Sequence, residues 1–203
     1  MRFHPFLNRS INLILAVMLA GTAVYVTHSP SAIRFDRERI DVWVVPGQVH
    51  VSGLYHYKNQ SSLPKLISLG LPFPVDDQHD QPSTFSISEV TGSRTIEPRI
   101  TRGDVSFRLW FLPNEEKWVR VDYVQRTHLP AGRYILKTTQ EWGRPLSEGL
   151  YVLHLGRGLQ LVTTNYVLDD EYSFRTRDFY PDKDWVFAWS DPGVQSARAR
   201  TSR

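Results

Sequence analysis

Ser62 and Lys65 have the spacing of a serine nucleophile that is activated by a lysine. The segment Ser62-Leu63-Pro64-Lys65 matches the S-x-x-K pattern of serine acyltransferases, in which both side chains project from one helical turn into one pocket. Pro64 would lie inside that turn, where proline disrupts helical hydrogen bonding. The run PKLISLGLPFP that it opens has the pattern of a strand instead. We therefore interpret the match as coincidental and predict no catalytic residue from it.

Two acidic segments carry oxygen ligands that a hard cation prefers. They read Asp76-Asp77-Gln78-His79-Asp80 and Asp169-Asp170-Glu171, and Ca²⁺ takes about 6–8 oxygen ligands. The first lacks the glycine and the distant glutamate of an EF-hand loop. Solvated loops between strands are the simpler interpretation of both. We predict no metal and no cofactor, and the sequence leaves cation binding by these two segments open.

Histidines and carboxylates show no catalytic spacing along the chain. His50 and His56 share a strand face, but six residues of strand separate them by about 20 Å, too far for one metal to bridge. The sequence has no G-x-S-x-G, phosphate loop or dinucleotide fingerprint. A carboxylate pair for glycoside hydrolysis stays open, because the distance between two such groups is a property of the fold. We expect that the protein is not an enzyme, with a secreted hydrolase as the last alternative.

Tryptophans provide the candidate contacts to a ligand or partner. Trp110 is opposite in phase to its apolar neighbours in the strand pattern, and Trp142 lies at a turn beside Gly143-Arg144-Pro145. Exposed rings stack on sugars and anchor protein interfaces. We therefore predict Trp110, Trp142 and Arg144 as possible contact residues. The alternative is that both sheet faces meet apolar groups, or that Trp142 caps the core. The face of Trp43, between Val42 and Val44, is undetermined.

From Ile40 onward, apolar residues recur with period two, which is typical of strands. Val49, Val51, Tyr55 and Tyr57 alternate with polar residues, and Gly53 on their apolar face indicates a bulge or a close neighbour. The same alternation marks segments around residues 67–73, 85–87, 107–111, 119–123, 134–138, 151–155, 159–162 and 185–189. Turn residues separate these segments about every ten positions. The pattern predicts an all-β fold, an immunoglobulin-like β-sandwich over residues 30–190. The stretches after Arg34 and near Asp169 could form a helical turn at most.

The composition excludes several classes of protein. The 203 residues contain no cysteine, which rules out disulfides, a thiolate zinc site and a cysteine nucleophile. Aromatic residues make up 12% of the chain, and large rings must therefore supply much of the buried apolar area. Residues 1–29 and 191–203 each carry +2, so the net charge of +3 leaves −1 for residues 30–190. Because a nucleic-acid reader needs a basic face on its folded domain, we predict no nucleic-acid partner.

The first 29 residues have the pattern of a signal peptide or signal anchor. Arg2 and Arg9 precede the uncharged apolar run 11–26. As a helix this run spans about 24 Å, slightly less than a hydrocarbon core of about 30 Å. Neither Gly21-Thr22-Ala23 nor the segment 29–32 makes a decisive cleavage site. We favour an uncleaved single-pass transmembrane helix with the N-terminus inside and residue 30 onward outside. The alternative is a buried helix of a cytosolic domain, which would keep a polar stripe along one side. The run 11–26 has almost no such stripe. The basic tail 191–203 lacks apolar residues and is predicted to be disordered.

The order of these features resembles a loose group of uncharacterised secreted or membrane-anchored bacterial proteins. The resemblance covers roughly residues 40–155. It rests on the segments Val51-Ser52-Gly53-Leu54-Tyr55-His56-Tyr57-Lys58-Asn59, Pro72-Phe73-Pro74, Phe111-Leu112-Pro113, Tyr134-Ile135-Leu136-Lys137-Thr138-Thr139 and Trp142-Gly143-Arg144-Pro145-Leu146. It implies an extracytoplasmic β-sandwich, and it implies no catalytic residues.

These observations favour a membrane-anchored protein of the bacterial envelope with a structural or protein-interaction role. Its expected partners are the cytoplasmic membrane, through the N-terminal helix, and a protein of the envelope. The domain would lie in the periplasm or outside the cell. A cell-surface carbohydrate-binding module that uses exposed tryptophans is the alternative.

Overall fold

The computed structural model describes residues 32–190, and these form thirteen strands and a short 3₁₀ helix. The N-terminal apolar run and the basic tail both lie outside the described residues. No helix within residues 32–190 has the length and apolarity to cross a membrane. In chain order the elements are β1 Ile33–Val45, β2 Gln48–Asn59, β3 Lys65–Pro72, β4 Thr84–Glu89, β5 Arg94–Thr95, β6 Arg99–Thr101, β7 Asp104–Phe111, β8 Glu116–Arg126, β9 Ala131–Tyr134, the 3₁₀ helix Lys137–Trp142, β10 Leu146–Leu155, β11 Gln160–Thr164, β12 Ser173–Phe179 and β13 Trp185–Ser190.

The strands form one large sheet and two small ones. The large sheet has seven strands in the order β12-β10-β1-β2-β8-β4-β5, and the small sheets have the orders β11-β13-β9 and β3-β7-β6. All pairs are antiparallel except the parallel pair of β1 and β10. Both small sheets pack on the same face of the large sheet, here called the inner face, through contacts such as Tyr151–Trp185 and Phe73–Tyr123.

The prediction of an all-β fold is confirmed, and the second layer differs from that of an immunoglobulin-like sandwich. In place of one second sheet, the inner face meets two separate three-stranded sheets. Period-two alternation shows that a strand has one buried face. It carries no information on which strands share a sheet, so the split of the second layer depends on long-range pairing.

Strand β1 contains a β-bulge that changes which residues face inward. The register with β2 shifts between Phe35 and Arg37, and an inserted residue reverses the alternation of side chains. Ile33 and Phe35 are buried before the bulge, and the even-numbered residues from Glu38 to Val44 are buried after it. The expectation of a helical turn after Arg34 is therefore wrong, because pairing with β2 and β10 extends this segment as a strand.

The bulge also decides the position of Trp43. After the shift, Trp43 lies on the outer face of the large sheet, opposite to its buried neighbours Val42 and Val44. Its ring stacks on the imidazoles of His50 and His154, with ring centroids 5.3 and 4.7 Å away. The sequence leaves this face undetermined because the preceding alternation is interrupted.

Gly53 has the close neighbour that its position on the apolar face indicates. The ring and hydroxyl of Tyr55 lie where a Cβ on Gly53 would be. A side chain at position 53 would therefore overlap the ring and displace it.

We predict that Gly53→Ala lowers the free energy of unfolding by about 1–3 kcal/mol, because the added methyl group overpacks the inner face. Gly92→Ala is the matched control, since a Cβ there meets no atom within 4 Å. Urea denaturation of the two variants measures the difference. Equal midpoints for Gly53→Ala and the unchanged protein would contradict the placement of the Tyr55 ring.

Candidate functional site

A cavity of about 640 Å³ lies on the inner face, between the two small sheets. Its floor consists of side chains from β1, β2, β4 and β8, including Phe35, Tyr57 and Tyr123. One wall is strand β3, and the opposite wall is the segment from Tyr134 to Trp142. The volume lies within the range of about 300–1,000 Å³ that is typical of small-ligand sites. This cavity is our candidate functional site, and we call it the cleft.

Tyrosine hydroxyls supply polar groups at the floor of the cleft. The hydroxyls of Tyr55 and Tyr134 lie 2.8 Å apart in a hydrogen bond that links the large sheet to β9. The hydroxyls of Tyr57 and Tyr123 make no hydrogen bond to any residue of the described range 32–190, although both residues are largely buried and line the cleft. Neither oxygen is among the enclosed side-chain atoms that lack a partner, so both open onto the cavity. These two groups are therefore available to a bound ligand.

The electrostatics of the floor favour neutral hydrogen bonding. Burial raises the pKa of the Tyr123 hydroxyl above its ordinary value. Burial, together with the nearby Glu38 carboxyl, raises the pKa of the Tyr57 hydroxyl in the same direction. Both phenols consequently stay protonated at neutral pH and can donate a hydrogen bond as well as accept one. This chemistry suits an acceptor group, such as a carbonyl oxygen, above the floor.

Trp142 forms part of the wall opposite β3. Its ring centroid lies 5.6 Å from that of Phe35 and 5.7 Å from that of Tyr57. The 3₁₀ helix that carries it begins where backbone N–H groups of Leu136 and Lys137 donate to Asp184 Oδ1, at 3.1 and 3.2 Å. A strand predicted through residue 138 therefore ends at Tyr134, because the Asp184 carboxylate satisfies the first free N–H groups of the helical turn.

The other wall of the cleft is strand β3. Nine consecutive residues, Lys65 through Phe73, border the cavity. The face of β3 that carries Ile67 and Leu69 points toward the large sheet, while Leu66, Ser68 and Gly70 are exposed on the opposite face. Both faces and the whole length of the strand thus contribute atoms to one cavity.

A buried carboxyl lies beneath the floor. Glu38 is 5% exposed and accepts a hydrogen bond from the Tyr151 hydroxyl at 2.5 Å. Burial raises the pKa of Glu38 to about 7, against the lowering effect of that hydrogen bond. Glu38 is opposite Tyr55 in the register of β1 and β2. A negative charge on Glu38 would therefore act on the hydroxyls of Tyr55 and Tyr57 at the floor of the cleft.

The structure separates the three predicted contact residues. Trp142 lines the cleft and packs against the core. Trp110 lies on the outward face of β7 opposite Leu66, and half of its surface is exposed, in agreement with its phase. Arg144 is exposed and donates to Gln60 Oε1 at 3.0 Å. A single ligand in the cleft could reach Trp142, and the contact roles of the other two stay predictions.

The first aspartate of each acidic segment accepts hydrogen bonds from the backbone of its own loop. Asp76 Oδ1 accepts hydrogen bonds from the backbone N–H groups of Gln78 and His79, and Asp76 Oδ2 pairs with Arg133 at 2.7 Å. Asp169 accepts from the backbone N–H groups of Glu171 and Ser173. Within residues 32–190, no group of three or more His, Asp or Glu side chains is placed to hold a metal ion.

Sequence reasoning missed the two features that define the cleft. Tyr57 and Tyr123 have the phase of core residues, and the pattern cannot distinguish a packed ring from one that lines a cavity. Whether β3 forms a wall of the cleft depends on which of its two edges is paired with another strand. The residue types themselves are a usable signal of the cavity. Tyrosines occupy inward positions of adjacent strands, where phenylalanine would fill a closed core equally well.

Comparison with a solved Legionella pneumophila structure shows a shared fold. The chain is similar to a Legionella pneumophila protein with the provisional name nutrient binding protein, at a TM-score of 0.60 and 15% identity over 83% of this chain and 70% of that one. It is also similar to an M1 zinc metallopeptidase of Deinococcus radiodurans, at a TM-score of 0.41 and 9% identity over 78% of this chain and 38% of the peptidase. This chain thus spans well under half of the peptidase. No protein-family model matches the chain, and no curated protein matches its sequence.

Proposed function

We propose that this chain is a membrane-anchored, extracytoplasmic binding protein of the bacterial envelope without enzymatic activity, and that the cleft holds its ligand. The domain from residue 30 to 190 would lie outside the cytoplasmic membrane, tethered by residues 1–29. The interaction that the sequence predicts would then take place in the cleft. The Legionella pneumophila protein with the same fold is named for nutrient binding, which agrees with a binding role of this kind.

One observation carries the proposal. The cleft combines aromatic walls with two tyrosine hydroxyls, those of Tyr57 and Tyr123, that make no hydrogen bond to the described residues. Neither hydroxyl oxygen is among the enclosed polar atoms that lack a partner, so both are accessible from the cavity. A bound ligand that accepts from these hydroxyls would replace their hydrogen bonds to water while it buries apolar surface against the rings. Binding sites commonly have this composition of apolar walls and a few convergent polar groups.

Fluorine NMR of the full chain, labelled with 3-fluorotyrosine and held in lipid nanodiscs, tests the proposal. The probes are pooled amino acids, short peptides and oligosaccharides of defined sequence. We expect at least one pool to shift the Tyr57 and Tyr123 signals, which Tyr→Phe variants assign, and to leave the signal of the exposed Tyr172 in place. If no pool moves either floor signal, the cleft is not a binding site.

Substitution of the floor tyrosines gives the matching affinity prediction. Tyr57→Phe and Tyr123→Phe keep the ring and remove the hydroxyl, and each is expected to weaken binding of an active probe by about three- to tenfold, which corresponds to one hydrogen bond. Tyr172→Phe is the control, because Tyr172 lies outside the cleft. Unchanged affinity in both floor variants would show that the hydroxyls do not meet the probe.

The membrane tether is tested by fractionation. The full chain is expected to stay with the membrane after a carbonate wash, because an apolar helix through the bilayer resists extraction. The carbonate wash would release a chain that was only peripherally associated with the membrane. Recovery of all the protein in the soluble fraction would contradict the anchor.

A carbohydrate-binding module is the second candidate, and the position of Trp142 in the wall of the cleft favours it. An aromatic wall offers a stacking surface to a sugar ring. Titration with a broad set of glycans, followed by tryptophan fluorescence, distinguishes this candidate. A response that Trp142→Ala removes and Trp110→Ala keeps would place the sugar in the cleft. No response to any glycan would eliminate this alternative.

A further inference from the structure

We propose that the ligand of the cleft is an extended peptide that pairs with the free edge of β3 as an additional antiparallel strand. This inference rests on the proposed binding function and names its ligand class. In the sheet order β3-β7-β6, strand β3 pairs with β7 on one side and with no described strand on the other. The free side is the one that borders the cleft.

The direction of each backbone group in β3 follows from one hydrogen bond. Phe73 N–H donates to Gly103 O at 3.1 Å. This pair continues the β3–β7 register, in which Leu71 is opposite Val105 and Leu69 is opposite Phe107. In an antiparallel ladder, hydrogen-bonded and non-hydrogen-bonded pairs alternate. The odd-numbered residues of β3 therefore direct their N–H and C=O groups toward β7.

The even-numbered residues consequently direct their backbone groups to the free edge. Leu66, Ser68 and Gly70 each present one N–H and one C=O there, and none of these groups has a backbone partner within the described range. Their side chains point away from the large sheet, yet all three residues border the cavity. Their main-chain atoms, at the edge of the strand, thus form part of the cleft wall.

This array has the repeat of a polypeptide strand. Donor–acceptor pairs recur at every second residue, which is about 6.8 Å, and Leu66 to Gly70 spans about 14 Å. A pentapeptide in extended conformation covers the same length. Pro72 has no N–H and ends the array, as proline commonly does at an edge strand. A sugar chain has no matching alternation of donors and acceptors.

An antiparallel peptide would also reach the floor of the cleft. Residues opposite each other in antiparallel strands carry their side chains on the same face. Peptide residues that pair with Leu66, Ser68 and Gly70 therefore point their side chains to solvent. The intervening residues point theirs to the rings of Tyr57 and Tyr123. The cleft thus selects apolar or aromatic side chains at alternate positions and accepts polar ones between them.

The test uses the capped peptide acetyl-Ser-Phe-Ser-Leu-Ser-amide and the full chain in nanodiscs. Two analogues carry one backbone N-methyl group each, on the central serine or on the phenylalanine. The central serine would donate its N–H to β3, whereas the phenylalanine N–H would point away. We expect the serine analogue to bind at least about tenfold more weakly than the parent peptide, and the phenylalanine analogue to bind within about threefold of it.

Hydrogen exchange of selectively ¹⁵N-labelled protein locates the contact. The parent peptide is expected to slow exchange of the Leu66, Ser68 and Gly70 amides by at least about tenfold, since bonded amides exchange through opening of the bond. The control is the amide of Ile100, which faces the free edge of β6 on the opposite side of the same sheet. Its exchange is expected to stay unchanged.

A pair of variants tests the same hydrogen bond from the protein side. Ser68→Pro removes an N–H that β7 does not use, and Ser68→Ala keeps it. We expect Ser68→Pro to weaken peptide binding by about five- to tenfold and Ser68→Ala to leave it unchanged. If Ser68→Pro fails to fold, the N-methyl peptides decide the question without any change to the protein.

The outcomes separate this inference from the proposed function. If the peptide moves the Tyr57 signal without protecting the β3 amides, or if both N-methyl analogues bind equally, strand pairing is overturned and a ligand site in the cleft stands. If peptides fail and a glycan or amino acid moves the floor signals, the peptide class is overturned in the same way. If no probe of any class moves these signals, the proposed function fails together with the inference.

Discussion

Glu38→Gln is expected to make the free energy of unfolding less dependent on pH between about pH 4.5 and pH 7. In the unchanged protein, ionisation of Glu38 lowers that free energy as the pH rises through this interval. Burial raises the pKa of Glu38 from 4.5 to about 7 in the folded state. The folded protein therefore binds more protons than the unfolded chain in this interval, and its free energy of unfolding falls as the pH rises. A difference of this size corresponds to about 3 kcal/mol at pH 8. Glutamine still accepts the hydrogen bond from Tyr151 and carries no charge.

Urea denaturation at pH 4 and at pH 8 measures this effect. The Glu38→Gln variant is expected to match the unchanged protein at pH 4 and to exceed its stability at pH 8. Glu148→Gln is the control, because Glu148 is an exposed carboxylate of the same sheet that pairs with Arg175. Other groups also titrate, so the difference between the two proteins isolates Glu38. A variant that is equally stable or less stable than the unchanged protein at pH 8 would contradict the raised pKa.

Trp185→Ala is expected to lower the free energy of unfolding by about 3–5 kcal/mol, the usual cost of deleting a large buried ring. Trp185 has no exposed surface, and its ring contacts those of Tyr151, Phe174 and Phe187. It also donates from Nε1 to Thr164 Oγ1 at 3.1 Å. This cluster joins the sheet β11-β13-β9 to the large sheet. Loss of the Trp185 ring would therefore weaken the attachment of one of the two small sheets that border the cleft.

Trp110→Ala provides the matched control for this prediction. Trp110 is half exposed on the outward face of β7, so its removal is expected to change the free energy of unfolding by less than about 1 kcal/mol. Thermal or urea denaturation with tryptophan fluorescence compares the two variants. Equal losses in both would show that Trp185 is not a core residue.

The cleft follows from the split of the second layer. A continuous second sheet would cover the middle of the inner face, where Tyr57 and Tyr123 now line a cavity. The two small sheets leave that region open, and the Tyr55–Tyr134 hydrogen bond joins its floor to one wall. The same gap leaves the edge of β3 without a strand partner in the described part of the chain. Cavity and free edge are thus two consequences of one arrangement.

The sequence alone predicted the features that depend on local alternation. It located most of the strands, placed Trp110 on an outward face and indicated a close neighbour at Gly53. These predictions need only the two-residue repeat of a strand and its relation to one apolar face. The sequence analysis missed strands β5, β6 and β12 and the beginning of β1, because their exposed or interrupted patterns are held by pairing with β4, β7, β10 and β2.

Tertiary structure alone decided the site. Glu38 is buried because a single bulge in β1 reverses the alternation, and Tyr55 meets Tyr134 from 79 positions away. The free edge of β3 exists because β7 pairs with only one of its sides and no other described strand pairs with the second. Alternation along a strand determines which way a side chain points, but not which strand lies beside it. Pairing between distant segments fixes the neighbours, and with them the cleft.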